Sequence, residues 1–166
     1  MDTQFEIYSH LEKKHYVEYY RCIWRKRITL VIIFAVLGII LLTLYFFADG
    51  YHLLTGIWGI AYAIWLYFRP WMVAAKTVKR ETKFEGTKTV ESVTKFGDEI
   101  HDATKHLSMS APYDKIAEIH FSKNVIVLKD TRKNDFILDK NGFTKGTYEE
   151  FIPFIQGKCP QAKVHK

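Results

Sequence analysis

Twenty consecutive residues without a charge, Ile28 to Phe47, constrain this chain more than any other stretch of it. As a helix they rise roughly 30 Å, the thickness of a bilayer's hydrocarbon core. After Ala48, Asp49 and Gly50 comes a second uncharged run, Tyr51 to Phe68, eighteen residues long and with His52 near its outer end. It gives roughly 27 Å of helix. The pattern predicts a transmembrane hairpin over 28–68, with spans at 28–47 and 51–68. A mean hydropathy of −0.10 and 25% charged residues conceal this layout, because a very apolar hairpin is averaged with two polar flanks.

The basic residues predict the orientation. Arg25, Lys26 and Arg27 abut the first run, and Arg69, Lys76, Lys79, Arg80 and Lys83 follow the second, whereas the connecting loop offers only Asp49. The positive-inside rule then places both termini in the cytoplasm of a multi-pass protein of the cell membrane. The same eight residues form a basic collar, each charge being worth about 1 kcal/mol beside an anionic leaflet. No cleaved signal peptide is expected, since no small-x-small site follows the first run. Cys22 and Cys159 would both lie in a reducing compartment, so no disulfide is expected.

Residues 1–27 read as a short strand, Thr3 to Tyr8, and a juxtamembrane helix. Ser9 and Glu12 have capping-box spacing, and nothing from His10 to Arg27 breaks a helix, so an unbroken passage into the first span is predicted. Tyr16, Tyr20 and Trp24, with Trp71 after the second run, are read as interfacial aromatic anchors in preference to a binding surface. Gly56, Gly59 and Ala63, opposite Gly38, have the small side chains that let helices approach closely, within the hairpin or between subunits. No midspan Asp, Glu, Lys or Arg marks an ion pathway. Pro70 is expected to end or kink the second helix, leaving 69–82 as a basic interfacial linker helix.

From Lys83 to Lys166 the periodicity becomes that of short strands between turns: Thr87 to Phe96, a turn before Ile100, Leu107 and Met109, Tyr113 to Phe121, Val125 to Leu128, and Phe136 to Leu138. An antiparallel meander is predicted. Thr147 and Glu150 make a second capping box, before a closing helix with Tyr148, Phe151, Ile152 and Ile155 on one stripe and Pro153 within it. The fold class expected is an α+β membrane protein, a two-helix hairpin plus a small antiparallel β-sandwich.

The motifs VTKFGDEI, YDKIAEIHFSKNVIVL and FILDKNGFTKGTYEEFIPFI, placed after a two-run hairpin, resemble the YcxB-like family of bacterial membrane proteins. That resemblance covers about the last eighty residues and implies a C-terminal domain, 83–166, similar to pleckstrin-homology (PH) folds. It implies no catalytic residue. The resulting expectation is a non-catalytic, membrane-anchored PH-like module facing the cytoplasm and binding a protein or peptide partner. One alternative is a self-immunity protein against a membrane-active bacteriocin; another is an anionic-lipid sensor.

Chemical motifs are few. Asp139 to Glu150 imitates the ends of an EF-hand loop, but Phe143 and Thr144 occupy positions that need a ligand and a glycine. His10 and His15 are five apart, which is not the HExxH spacing, and His101, His106 and His120 have no neighbours at ligand spacing. No phosphate loop, dinucleotide fingerprint or nucleophile elbow is present. No metal, cofactor or enzymatic activity is expected. Positive and negative charges interleave along the tail, so no nucleic-acid partner is expected either.

Overall fold

The computed structural model describes residues 3–47, 52–86, 89–132 and 134–165. The expected turn at Ala48, Asp49 and Gly50, with Tyr51 and Thr87, lies outside the described residues, as do the side chains of Arg25, Lys26 and Arg27. Two compact units are present: Met1–Tyr19 with Lys76–Lys166, and Tyr20–Ala75.

In the first unit, β1 (Phe5–Leu11) pairs antiparallel with β2 (Val90–Phe96) over seven residues, from Phe5 opposite Phe96 to Leu11 opposite Val90. Its other edge takes β8 (Phe143–Lys145), while β3 (Ile100–Ala103) and β4 (Ser108–Ala111) extend the sheet beyond β2, in the order β4-β3-β2-β1-β8. A second sheet runs β7-β6-β5-β9, from β5 (Ile116–Phe121), β6 (Val125–Asp130), β7 (Phe136–Asp139) and β9 (Lys163–His165). It departs from the expected meander, because β9 lies parallel to β5. A register shift between Ile116 and Glu118 explains how Ile116 and Ile119, three apart, are both fully buried.

Between the sheets lie Ile7, Phe96, Ile100, Ile119, Leu128 and Phe136. The helix α4 (Tyr148–Lys158) closes this core with Phe151 and Ile155, both fully buried. Its start is fixed by the reciprocal Thr147–Glu150 cap, which satisfies two N–H groups otherwise without partners in the first turn. Pro153 does not stop it.

The N-terminal helix begins later than the sequence predicts. Ser9 belongs to β1, where its hydroxyl accepts from the Asp139 N–H at 3.1 Å, because strand pairing on both sides of β1 outweighs one cap. The helix α1 is Lys13–Ile23, and the Glu12 N–H just before it donates to His15 Nδ1 at 2.9 Å. A turn at Trp24 separates α1 from α2 (Arg25–Phe47), so no single continuous helix forms. By contrast α3 (His52–Glu85) runs through Pro70 without a break, and the separate linker helix expected at 69–82 is its C-terminal part.

The transmembrane expectation is overturned. Among the described residues, no helix is long and apolar enough to cross a membrane. In α3 the apolar residues are diluted by Thr55, Gly56, Gly59, tyrosines and Arg69. The two-span membrane fold, the multi-pass localisation and the orientation built on it are corrected accordingly.

Within the second unit α2 and α3 pack as an antiparallel pair through glycine. Gly59 approaches Phe34 and Gly38, and Gly56 approaches Leu42. A methyl group added at Gly38 would lie 2.9 Å from Ile60 Cγ1 and 3.1 Å from the Gly56 carbonyl oxygen. The outer faces stay apolar: Ile32, Ile39, Leu54, Trp58 and Tyr67 are exposed.

Candidate functional site

The alternation of β2 points Val90, Ser92, Thr94 and Phe96 inward, and only the last of these meets the aromatic core. At the opposite end of the β1–β2 ladder from α4, the interior opens into a cavity of about 240 Å³. Leu11, Val90, Leu107, Met109 and Ile137 give it apolar walls, and Phe84 and Glu81 of α3 also line it.

Three carboxylates line the same cavity. Asp102 faces Thr94 across β2 and β3 and accepts its hydroxyl at 2.7 Å. Burial raises its pKa, and hydrogen bonds from Thr94 and Ser92 only partly offset that rise. Asp135 accepts from the Tyr19 hydroxyl through Oδ2 at 2.9 Å, while its buried Oδ1 has no hydrogen-bond partner among the described residues. Its pKa is likewise raised, first by burial. Glu81 accepts from the Tyr16 hydroxyl.

The cavity is therefore apolar in its walls and acidic in its polar groups. Leaving a buried carboxylate oxygen unpaired costs about 1 to 3 kcal/mol, a cost that an incoming donor would remove. At about 240 Å³ the space lies below the roughly 300 Å³ at which small-molecule pockets begin, and suits a single side chain. The thiol of Cys159 is buried and pushed up to about 11, so it is no ready nucleophile.

Among the described residues, one of the site residues singled out in the sequence, Tyr16, lines this cavity, and the others are placed elsewhere. Tyr16, expected as an outward anchor, is 3% exposed and lines the cavity. Tyr20 packs against Trp24 at 5.2 Å, and Arg69 lies over Trp24 at 4.9 Å and Trp65 at 5.1 Å. Trp71 is exposed, as are Lys76, Lys79, Arg80 and Lys83 along α3. Gly38, Gly56 and Gly59 meet at the α2–α3 contact, and Ala63 is buried.

Glu81, Asp102 and Asp135 are far apart in sequence and match no motif, so only the fold brings them together. One signal was available: Ser92 and Thr94 occupy inward positions of an alternating strand, where polar residues need a buried partner. No family model matches the chain, no curated protein matches it in sequence, and no solved structure matches it.

Proposed function

We propose that this protein is a non-catalytic binding module whose cavity takes one basic side chain, lysine or arginine, of a protein or peptide partner. The observation that carries this reading is the convergence of Glu81, Asp102 and Asp135 on one apolar-walled cavity. Methylene stems fit the walls formed by Leu11, Val90 and Met109, and a terminal cation supplies donors to the carboxylates. The sign of the cavity is opposite to that required by an anionic lipid headgroup, so a peptide is preferred to a lipid. Self-immunity against a bacteriocin is one instance of the same reading, with a secreted cationic peptide as the ligand. A gene for such a peptide beside this one would favour it.

The test is a titration of the full chain with peptides carrying a central lysine, arginine, acetyl-lysine or norleucine. Lysine or arginine peptides should bind best, more weakly at pH 5 than at pH 7.5, and the double variant Asp102→Asn/Asp135→Asn should lose at least about tenfold in affinity, or 1.4 kcal/mol. Equal binding of the acetyl-lysine peptide would exclude a cation-reading cavity.

A further inference from the structure

Away from that cavity, the parallel pairing of β5 and β9 sets Glu118 beside Lys163 and His120 beside His165. Since alternate residues of a strand share a face, Glu118, His120 and His165 converge on one side of the sheet. His120 Nε2 lies 3.0 Å from Glu118 Oε2, and His165 Nε2 lies 4.0 Å from the same oxygen. One ligand atom from each residue falls within 4.8 Å of the others. The two imidazoles stack at 4.5 Å with planes 14° apart.

We infer that Glu118, His120 and His165 form a binding site for a divalent transition-metal ion, with Zn²⁺ the best fit to the donors. Two imidazoles and one carboxylate are an established donor set for zinc. Ligand atoms about 2.0 to 2.2 Å from a tetrahedral ion stand roughly 3.3 Å apart, between the 3.0 Å and 4.0 Å that separate the two imidazoles from Glu118 Oε2, so the cluster tightens on loading. Loading requires two small changes: His165 rotates out of the stack, and His120 carries its proton on Nδ1 so that Nε2 offers a lone pair. His165, near the end of β9, is the less buried imidazole and has the room to turn, whereas His120 is 6% exposed and fixed.

Lys163 stands beside Glu118 in the β5–β9 register, and Lys129 lies 3.4 Å from Glu118 Oε2 and is partly exposed. Lys129 competes with the ion for that oxygen and swings toward solvent on loading. Burial and the neighbouring His165 and Lys129 disfavour the imidazolium of His120, while Glu118 opposes them; the net effect is a lowered pKa, which leaves the ring neutral for coordination near pH 7. The bound ion ties the three-residue β9 to β5, leaving a fourth coordination position to water.

The experiment uses the full chain, stripped with a chelator and titrated with Zn²⁺ alone by calorimetry and with Co²⁺ by visible absorption. One equivalent should bind with micromolar affinity or better, raise the melting temperature, and give the cobalt spectrum of a tetrahedral nitrogen and oxygen site. His165→Ala and Glu118→Gln should each weaken binding by about tenfold or more, while their far-ultraviolet circular dichroism stays that of the parent. Acidification from about pH 7.5 to about 5.5 should also weaken binding, because protons compete for the imidazoles. Equal binding to the parent and both variants would assign the ion to other histidines and overturn the site. Absence of binding to the parent would overturn it too. Neither outcome bears on the basic-side-chain reading of the cavity, whose residues are different.

Discussion

Thr94 and Asp102 stand opposite each other across β2 and β3, and the threonine hydroxyl donates to Asp102 Oδ1 at 2.7 Å. The acid is nevertheless harder to ionise than an aspartate in water, because burial outweighs the hydrogen bonds from Thr94 and Ser92. A carboxyl whose pKa is raised in the folded state contributes most to stability below its unfolded pKa of about 3.9, and that contribution is lost as pH rises through the folded value. Asp102→Asn keeps an oxygen for Thr94 and removes the ionisation. It should therefore raise stability at neutral pH and leave it unchanged near pH 3, as read by urea unfolding at both. A variant less stable than the parent at pH 7 would mean that the carboxylate is satisfied where it lies.

Two glycines separate steric need from mere tolerance. A methyl group at Gly142 would fall 1.9 Å from the carbonyl oxygen of Tyr8, whose N–H donates to the Gly142 carbonyl at 2.7 Å. Backbone cannot yield as a side chain can, so Gly142→Ala should part β1 from β8 and cost at least about 2 kcal/mol. At Gly157, inside α4, the same methyl meets nothing within 4 Å. Gly157→Ala should stabilise by roughly 0.5 to 1 kcal/mol through helix propensity. Urea midpoints that moved together in both variants would contradict this division.

The aromatic core offers a larger effect. Phe151 is fully buried and meets Phe96 at 4.8 Å, Phe143 at 5.4 Å and Phe5 at 5.5 Å, with steeply inclined ring planes. Removing the ring leaves a cavity that three rigid neighbours cannot fill, so Phe151→Ala should cost about 3 to 5 kcal/mol. Thr147→Ala, which removes only the cap of the same helix, should cost about 1 kcal/mol. If the two losses were equal, α4 would be held by its cap and not by its buried face.

These two positions also show how far the sequence could be read. Thr147 and Glu150 have capping-box spacing and form the box; Ser9 and Glu12 have the same spacing and do not. Local spacing is identical in the two cases. What differs is that Ser9 lies in a segment with a pairing partner on each side, and those partners are remote in sequence. Tyr16 shows the same limit: helical spacing places it on an aromatic stripe, but only the fold brings Glu81, sixty-five residues away, against its hydroxyl. The metal-ligand cluster was illegible for a similar reason, since His165 reaches His120 only through the parallel β5–β9 pairing. The short strand β9 followed a helix in a stretch with no alternation to reveal it.

Glu18 of α1 binds the turn between β5 and β6 through three donors: the Ser122 hydroxyl at 3.0 Å, the Asn124 N–H at 3.0 Å and the Asn124 side-chain amide. Burial alone would push its pKa up. The hydrogen bonds from Asn124 and Ser122, helped by His15, outweigh burial and hold the carboxylate below its usual range. A carboxylate with a depressed folded pKa contributes stability that is present above its unfolded pKa, about 4.3, and lost as pH falls through the folded value. The slope is opposite in sign to that of Asp102, so the two acids are separable by substitution. Glu18→Gln points an amide donor at a turn that already supplies donors and removes the charge that strengthened their bonds. It should cost roughly 1 to 3 kcal/mol at pH 7. The penalty should shrink toward zero near pH 2 to 3, where the parent's own carboxyl is protonated and resembles the amide. Paired urea titrations of Glu18→Gln and the parent at the two pH values decide the matter: a penalty independent of pH would show that shape, and not the charge of Glu18, holds α1 to the β5–β6 turn.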